Sequence, residues 1–86
     1  MSFELIWTHK AKKDLKAIDK KIARRIYEEI EVFKSQKNIF LEKVKGQEFY
    51  KYRIGKYRVF IDKYPASKKL VILRIIHRKK AYKNLN

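Results

Sequence analysis

Apolar residues recur at helical spacing near the start of the chain. Residues 3–7 (FELIW) form a short apolar run of strand-forming residues, and Thr8 after it suits the N-cap of a helix. In the lysine-rich segment that follows, Ala11, Leu15 and Ile18 lie three or four positions apart. This spacing predicts a strand followed by a basic helix with one apolar stripe.

A second amphipathic helix is predicted directly after the first. Asp19 suits its N-cap. Its expected buried stripe consists of Ile22, Ile26, Ile30 and Phe33. Residues 35–46 then show no sustained period, and their Gln, Asn, Lys and Gly residues indicate a connecting loop.

The period changes to two in residues 50–61 (YKYRIGKYRVFI), which indicates a β-hairpin. If Gly55 and Lys56 form the turn, Arg53 and Arg58 lie directly opposite each other on the paired strands. One face of the hairpin is then apolar: Tyr52, Ile54, Tyr57, Val59 and Ile61. The other face carries Lys51, Arg53, Arg58, Phe60 and Asp62.

Residues 70–76 (LVILRII) are nearly continuous in apolar residues, as in a central strand that is covered on both faces. We expect Val71, Leu73 and Ile75 to face the helices. The order β-α-α-β-β-β predicts an α+β fold, with two N-terminal helices on one face of a small antiparallel sheet and the other face open. A short C-terminal helix is also compatible with the basic ending. The 86 residues predict a single domain, 1–86.

Composition narrows the class of protein. Lys and Arg number 24 against 9 acids, for a net charge of +15. Residues 47–86 hold 12 basic and 2 acidic residues, so the positive field belongs to the C-terminal half and favours an anionic partner. Lysines that merely solvate the surface are the alternative. Without cysteine or a long apolar run, we expect a cytoplasmic protein with no membrane association and no thiolate metal site.

With the strand faces assigned as above, Arg74 and Arg78 join Lys51, Arg53 and Arg58 on the open face. Five clustered cations repel one another, and a bound phosphate backbone would offset that repulsion. The alternative is that long solvated side chains splay apart and interact weakly. Three further aromatic residues are candidates for stacking on bases: Tyr50, Phe60 and Tyr82.

His77 precedes Arg78 at the exit of the last strand and is either a surface residue or a proton donor or phosphate ligand. His9 is expected to be a surface residue. Glu48 and Asp62 are the only acids of the C-terminal half, so we predict no metal site and no cofactor.

Two segments together resemble the RelE and ParE superfamily of toxins from toxin-antitoxin systems, with the RelE branch the better likeness. One is KVKGQEFYKYRIGKYRVFI, residues 43–61, which runs from before Gly46 through the hairpin and includes Tyr57-Arg58-Val59. The other is the HRK-x-x-Y ending, residues 77–82. The order of elements agrees as well, so the resemblance covers essentially the whole chain.

The resemblance implies a metal-independent endoribonuclease that cleaves mRNA in the ribosomal decoding site through attack by the ribose 2′-OH. Lys51 and Arg53 match the basic pair of the family's second strand, and Arg58 matches the arginine after its tyrosine. Arg78 matches the C-terminal arginine and Tyr82 the terminal tyrosine. By this comparison, Arg58 and Arg78 stabilise charge on the scissile phosphate, and Tyr82 stacks on or orients the base.

One position departs from the family pattern. Arg53 stands where the best-known member has a lysine that is a candidate general base, and a guanidinium stays protonated. Either the role of general base passes to Lys51, Tyr82 or His77, or the activity is slow or absent. Either Arg78 or His77 would protonate the leaving 5′-oxygen. Four further residues are expected to contact RNA: Arg74, Lys79, Lys80 and Tyr50.

Two other functions stay open. A ParE-like protein would inhibit DNA gyrase by binding alone, and a nucleic-acid-binding module would need no catalysis. If the chain is a toxin, the resemblance implies an antitoxin protein as partner besides the ribosome and mRNA. We expect a monomer when the toxin is alone, or a toxin-antitoxin heterocomplex, and an acidic, amphipathic antitoxin would complement the charge of +15.

Overall fold

A computed structural model describes residues 3–35 and 41–80 of the chain. Its elements, in chain order, are β1 (Glu4–Trp7), α1 (His9–Ala17), α2 (Lys20–Glu31), a 3₁₀ turn (Val32–Lys34), β2 (Glu42–Lys43), β3 (Tyr50–Ile54), β4 (Tyr57–Tyr64) and β5 (Lys69–His77). Residues 78–80 are helical. The predicted α+β class, with two helices before the main sheet strands, is confirmed. No helix in the described part of the chain is long and apolar enough to cross a lipid bilayer.

The five strands form one sheet in the order β1-β5-β4-β3-β2. All neighbours are antiparallel except β1 and β5, which run parallel. The prediction of a loop over 35–46 missed β2, because a strand of two residues is too short to display a period of two.

Both predicted helix caps are confirmed. The Thr8 hydroxyl accepts a hydrogen bond from the Ala11 amide at 3.1 Å, and the Asp19 carboxylate accepts one from the Lys21 amide at 3.1 Å. Each bond satisfies an amide that has no partner within its own helix.

The main core lies between the helices and one sheet face, called here the inner face. Its buried residues are Ala11, Ile26, Ile30, Phe33, Ile54, Val59, Ile61, Leu70, Ile72 and Ile75. Ile22 was wrongly predicted to be buried and is 41% exposed. It lies in the first turn of α2 beside the β3–β4 turn, where the sheet ends.

The opposite, outer face is less open than predicted. Val44 and Phe60 are buried there, against three partly buried apolar neighbours: Phe49, Leu73 and Ile76. Val44 donates a backbone hydrogen bond to Phe49 at 3.1 Å, and the Phe49 ring packs edge-on against Phe60 with centroids 5.5 Å apart. The chain before β3 therefore turns back over the middle of the outer face.

A β-bulge divides β5. Ile72 pairs with Ile61 and Arg74 pairs with Phe60, so that Leu73 is an extra residue on β5. Leu70 and Ile72 face the helices before the bulge, and Ile75 does so after it. The predicted inward set of Val71, Leu73 and Ile75 is therefore wrong before the bulge and right after it. An extra residue reverses the alternation of side chains.

Candidate functional site

The predicted arginine pair of the hairpin is present. Gly55 adopts a φ of 57° in the turn, the left-handed value that a type II′ hairpin turn requires at its first central residue. Arg53 and Arg58 are direct cross-strand partners. They alternate with the inward-facing Ile54 and Val59, so both side chains emerge on the outer face.

Lys51 shares this face and lies between acidic and apolar neighbours. Its backbone pairs with Phe60 of β4 and with Glu42 of β2, and its ammonium lies 3.7 Å from the Glu42 carboxylate. The outer-face patch formed by Lys51, Arg53 and Arg58 therefore adjoins the apolar cluster around Phe60. Sequence reasoning missed Glu42 because it was assigned to a loop.

Arg78 lies at the same end of the sheet as the arginine pair. Its amide donates a 2.8 Å hydrogen bond to the carbonyl of Lys56 in the hairpin turn, which continues the β4–β5 ladder past His77. Arg78, Lys79 and Lys80 are all exposed. This end of the sheet therefore presents basic side chains from the hairpin and from the exit of β5.

Arg74 is not part of the outer-face patch, contrary to the prediction. Its guanidinium binds the Asp14 carboxylate of α1 through two bonds, Nε to Oδ2 at 2.8 Å and Nη2 to Oδ1 at 3.1 Å. The hydrogen bond to Asp14 raises the pKa of Arg74. The backbone of Arg74 pairs with the outer-face Phe60 as the predicted alternation requires, and the assignment failed because Asp14, 60 residues away in sequence, binds its guanidinium. Asp14 was also missed, and its only sequence signal is a single acid in the lysine-rich first helix.

His77 lies on the inner face, away from the arginine pair. Its ring packs edge-on against Tyr57, its cross-strand partner, with centroids 5.3 Å apart. Its Nδ1 atom accepts a 3.3 Å hydrogen bond from the Lys79 amide. His77 lines a cleft of about 210 Å³ together with Asp14, Tyr57 and Lys80.

The aromatic residues predicted to stack on bases are differently placed. Phe60 is 3% exposed and has no free ring face for a base. Tyr50 pairs with Ile61, a core residue, and so belongs to the inner face. Tyr82 lies outside the described residues.

A family model described as the ParE toxin of type II toxin-antitoxin systems, parDE, matches residues 5–82. The chain belongs to this family. No curated protein matches it.

Solved structures of related toxins share the family fold. A chain of the RelB-RelE antitoxin-toxin complex from Methanococcus jannaschii is 28% identical, with a TM-score of 0.75 over 94% of this chain and 99% of that one. A chain of the RelBE2 complex from Mycobacterium tuberculosis is 20% identical, with a TM-score of 0.74 over 91% and 100%. The isolated RelE toxin of E. coli is 14% identical, with a TM-score of 0.67 over the whole of both chains.

These matches confirm the predicted membership of the RelE and ParE superfamily. The chain is a toxin of the type II toxin-antitoxin class. The family model carries the ParE name and the solved structures carry the RelE name. The choice of the RelE-like branch therefore stays a prediction.

Proposed function

We propose that this toxin is a ribosome-dependent mRNA endoribonuclease that works without a metal ion and inhibits translation. The observation that carries the proposal is that Arg53 and Arg58 lie opposite each other across the β3–β4 ladder, with Arg78 at the same end of the sheet. Like charges directly opposite each other destabilise a sheet. Two guanidinium groups placed in this way can bind one phosphodiester, whose negative charge would offset their mutual repulsion.

In this proposal, the 2′-oxygen attacks the phosphorus to form a 2′,3′-cyclic phosphate, the bond to the 5′-oxygen breaks, and the leaving 5′-oxygen takes up a proton from Arg78 or from water. Arg58 and Arg78 stabilise the charge that grows on the phosphate, and Arg53 holds the same or a neighbouring phosphate. Arg53 does not act as the base, because a guanidinium stays protonated.

The proton of the 2′-OH then has two candidate acceptors, Lys51 and Tyr82. Lys51 lies on the arginine face, with its Nζ atom 3.7 Å from the Glu42 carboxylate, and any lysine accepts a proton only as the neutral amine. His77 lies on the inner face against Tyr57 and is less suited to this step than the sequence suggested. With no ready acid-base pair in place, we expect slow cleavage of free RNA and a strong dependence on positioning by the ribosome.

We also propose an antitoxin as the partner that restrains this activity. Solved structures similar to the chain include toxin-antitoxin complexes, and a charge of +15 favours an acidic partner. Lys79 and Lys80, exposed beside Arg78, are proposed to extend the RNA-binding surface.

The test is induction of the toxin in cells, with primer extension on translated mRNA and a measurement of protein synthesis. Arg58→Ala and Arg78→Ala should each relieve both the mRNA cuts and the arrest. Arg24→Ala, which removes an exposed arginine from α2, is the matched control and should leave both unchanged. Arrest that persists in both site variants would contradict the proposal.

Inhibition of DNA gyrase by binding is the second candidate, because the matching family model is that of ParE. It predicts DNA-damage signalling while the mRNA stays intact. The same induction experiment distinguishes the two functions when a DNA-damage reporter is included.

A further inference from the structure

Helix α1 lies beside β5 beyond the point where β1 ends. Residues Glu4–Trp7 pair with β5 as far as Ile72, and the Thr8 amide adds a last bond of 3.1 Å to the Ile72 carbonyl. From there the chain turns into α1. Among residues 3–35 and 41–80, no strand therefore lies beside the β5 backbone beyond Ile72 on this edge.

Two side chains of α1 and its cap satisfy that exposed edge. The Thr8 hydroxyl lies 2.9 Å from the Ile72 carbonyl oxygen and 3.0 Å from that of Leu73. The Asp14 carboxylate accepts a 2.8 Å bond from the Ile75 amide and holds the Arg74 guanidinium. These contacts bracket the bulge, one on each side of it.

The sequence of β5 does not specify the bulge by itself. A strand that is apolar at nearly every position can pair in two registers, because either set of side chains suits a buried face. Without the extra residue, Arg58 would face Ile75, and Tyr57 would face Ile76. In the structure, Arg58 faces Ile76 and Tyr57 faces His77. The bulge therefore decides which side chains at the end of β5 lie on the same face as the arginine pair. It decides the same for Arg78, which follows β5.

We propose that Asp14 is a positioning residue that fixes the bulge of β5 through Arg74 and the Ile75 amide, and thereby sets Arg78 beside Arg53 and Arg58. The register part of this proposal stands alone, whereas its consequence for RNA cleavage rests on the proposed function. A carboxylate with three hydrogen bonds suits this task, because it binds the backbone of one residue and the side chain of the residue before it. An ion pair that served stability alone would not need the backbone bond.

Cysteine cross-linking measures the register directly, because the chain has no cysteine of its own. Tyr57→Cys with His77→Cys reports the bulged register, and Tyr57→Cys with Ile76→Cys reports the shifted one. Directly opposed positions bring sulfur atoms within bonding reach. In the parent chain, the first pair should oxidise and the second should not.

In the Asp14→Ala background we expect the ratio of shifted to bulged cross-link to rise about tenfold, from loss of hydrogen bonds to a charged group. Asp19→Ala is the matched control, since it also removes a helix carboxylate bonded to one backbone amide. It should not change the ratio. An unchanged ratio in Asp14→Ala would overturn the proposal.

If Asp14→Ala does not fold, Asp14→Asn and Arg74→Gln keep the question open to measurement. Asp14→Asn retains an acceptor for the Ile75 amide. Its ratio of shifted to bulged cross-link should therefore lie between the ratio of the parent and that of the double variant with both Asp14→Asn and Arg74→Gln. Equal cross-link ratios in the parent, in Asp14→Asn and in the double variant would also overturn the proposal.

The activity arm compares ribosome-dependent cleavage by Asp14→Asn and Asp19→Ala. Misplacing one of three phosphate ligands should lower the maximal cleavage rate about tenfold while RNA affinity changes little. A parent protein that cleaves nothing would refute the proposed function and leave the cross-linking result to decide the register. A normal rate in Asp14→Asn despite a shifted register would refute the link between the register and catalysis.

Discussion

Replacing Arg53 with glutamine separates the stability of the free toxin from its affinity for RNA. Arg53 and Arg58 are direct cross-strand partners, whose Cβ atoms in such a pair lie about 5 Å apart. Two unit charges at about 5 Å repel by about 0.8 kcal/mol in water. Long side chains splay apart at an exposed site, so we expect about 0.3–0.5 kcal/mol. Arg53→Gln should raise the free energy of unfolding by this amount.

The assay is urea unfolding of the free toxin at about 10 mM and about 500 mM salt, since added salt screens the repulsion. The stabilising effect of Arg53→Gln should shrink at the higher concentration. Arg24→Gln on α2 removes the same charge from an exposed arginine elsewhere and controls for the change in net charge. Its effect on stability should be smaller.

Affinity for single-stranded RNA should change in the opposite direction. Loss of one phosphate ligand weakens binding and lowers the salt dependence of affinity by about one counterion. The arginine pair is not an anion site if the Arg53→Gln variant is less stable than the parent at low salt. The same holds if the variant binds RNA as tightly as the parent with the same salt dependence of affinity.

Two further predictions concern stability. Ile72→Ala, at a fully buried position, should lower the free energy of unfolding by about 2–5 kcal/mol. Ile22→Ala, at a 41% exposed position, should lower it by much less. Urea unfolding measures both losses, and similar losses would contradict the described core. Hydrogen bonds from Tyr27 and Lys34 lower the pKa of Glu31 from its ordinary 4.5. The ionised Glu31 carboxylate therefore stabilises the fold fully above the pKa that it has in the unfolded chain. This stabilisation is lost as the pH falls through the lower pKa that Glu31 has in the folded protein. Thermal melts should therefore show a difference in Tm between the parent and Glu31→Gln at pH 7 that closes as the pH is lowered below 4.5, and a difference that persists unchanged would exclude this cause.

The hairpin was predictable because its signals are local. A glycine at the turn and alternation on both sides of it fix the register, since the turn length alone decides which residues oppose each other. The facing of Arg53 and Arg58 followed from that. The helix caps Thr8 and Asp19 were predictable for the same reason, because a cap acts within three residues.

The placement of Arg74 and His77 was not predictable in this way. Both follow the bulge at Leu73, and the apolar run around them fits either register. Asp14, which binds the Arg74 guanidinium, lies 60 residues away from Arg74 in the sequence. The burial of Phe60 likewise depends on Phe49 from the segment before β3.

The amino-acid sequence by itself determined the order of the elements, the helix ends, the hairpin and its arginine pair, because each of these depends on residues within a few positions of one another. The tertiary structure decided the bulge of β5, the capture of Arg74 by α1 and the apolar cover on the outer face. Those features depend on contacts between distant segments, and such contacts leave no period in a strand that is apolar on both faces.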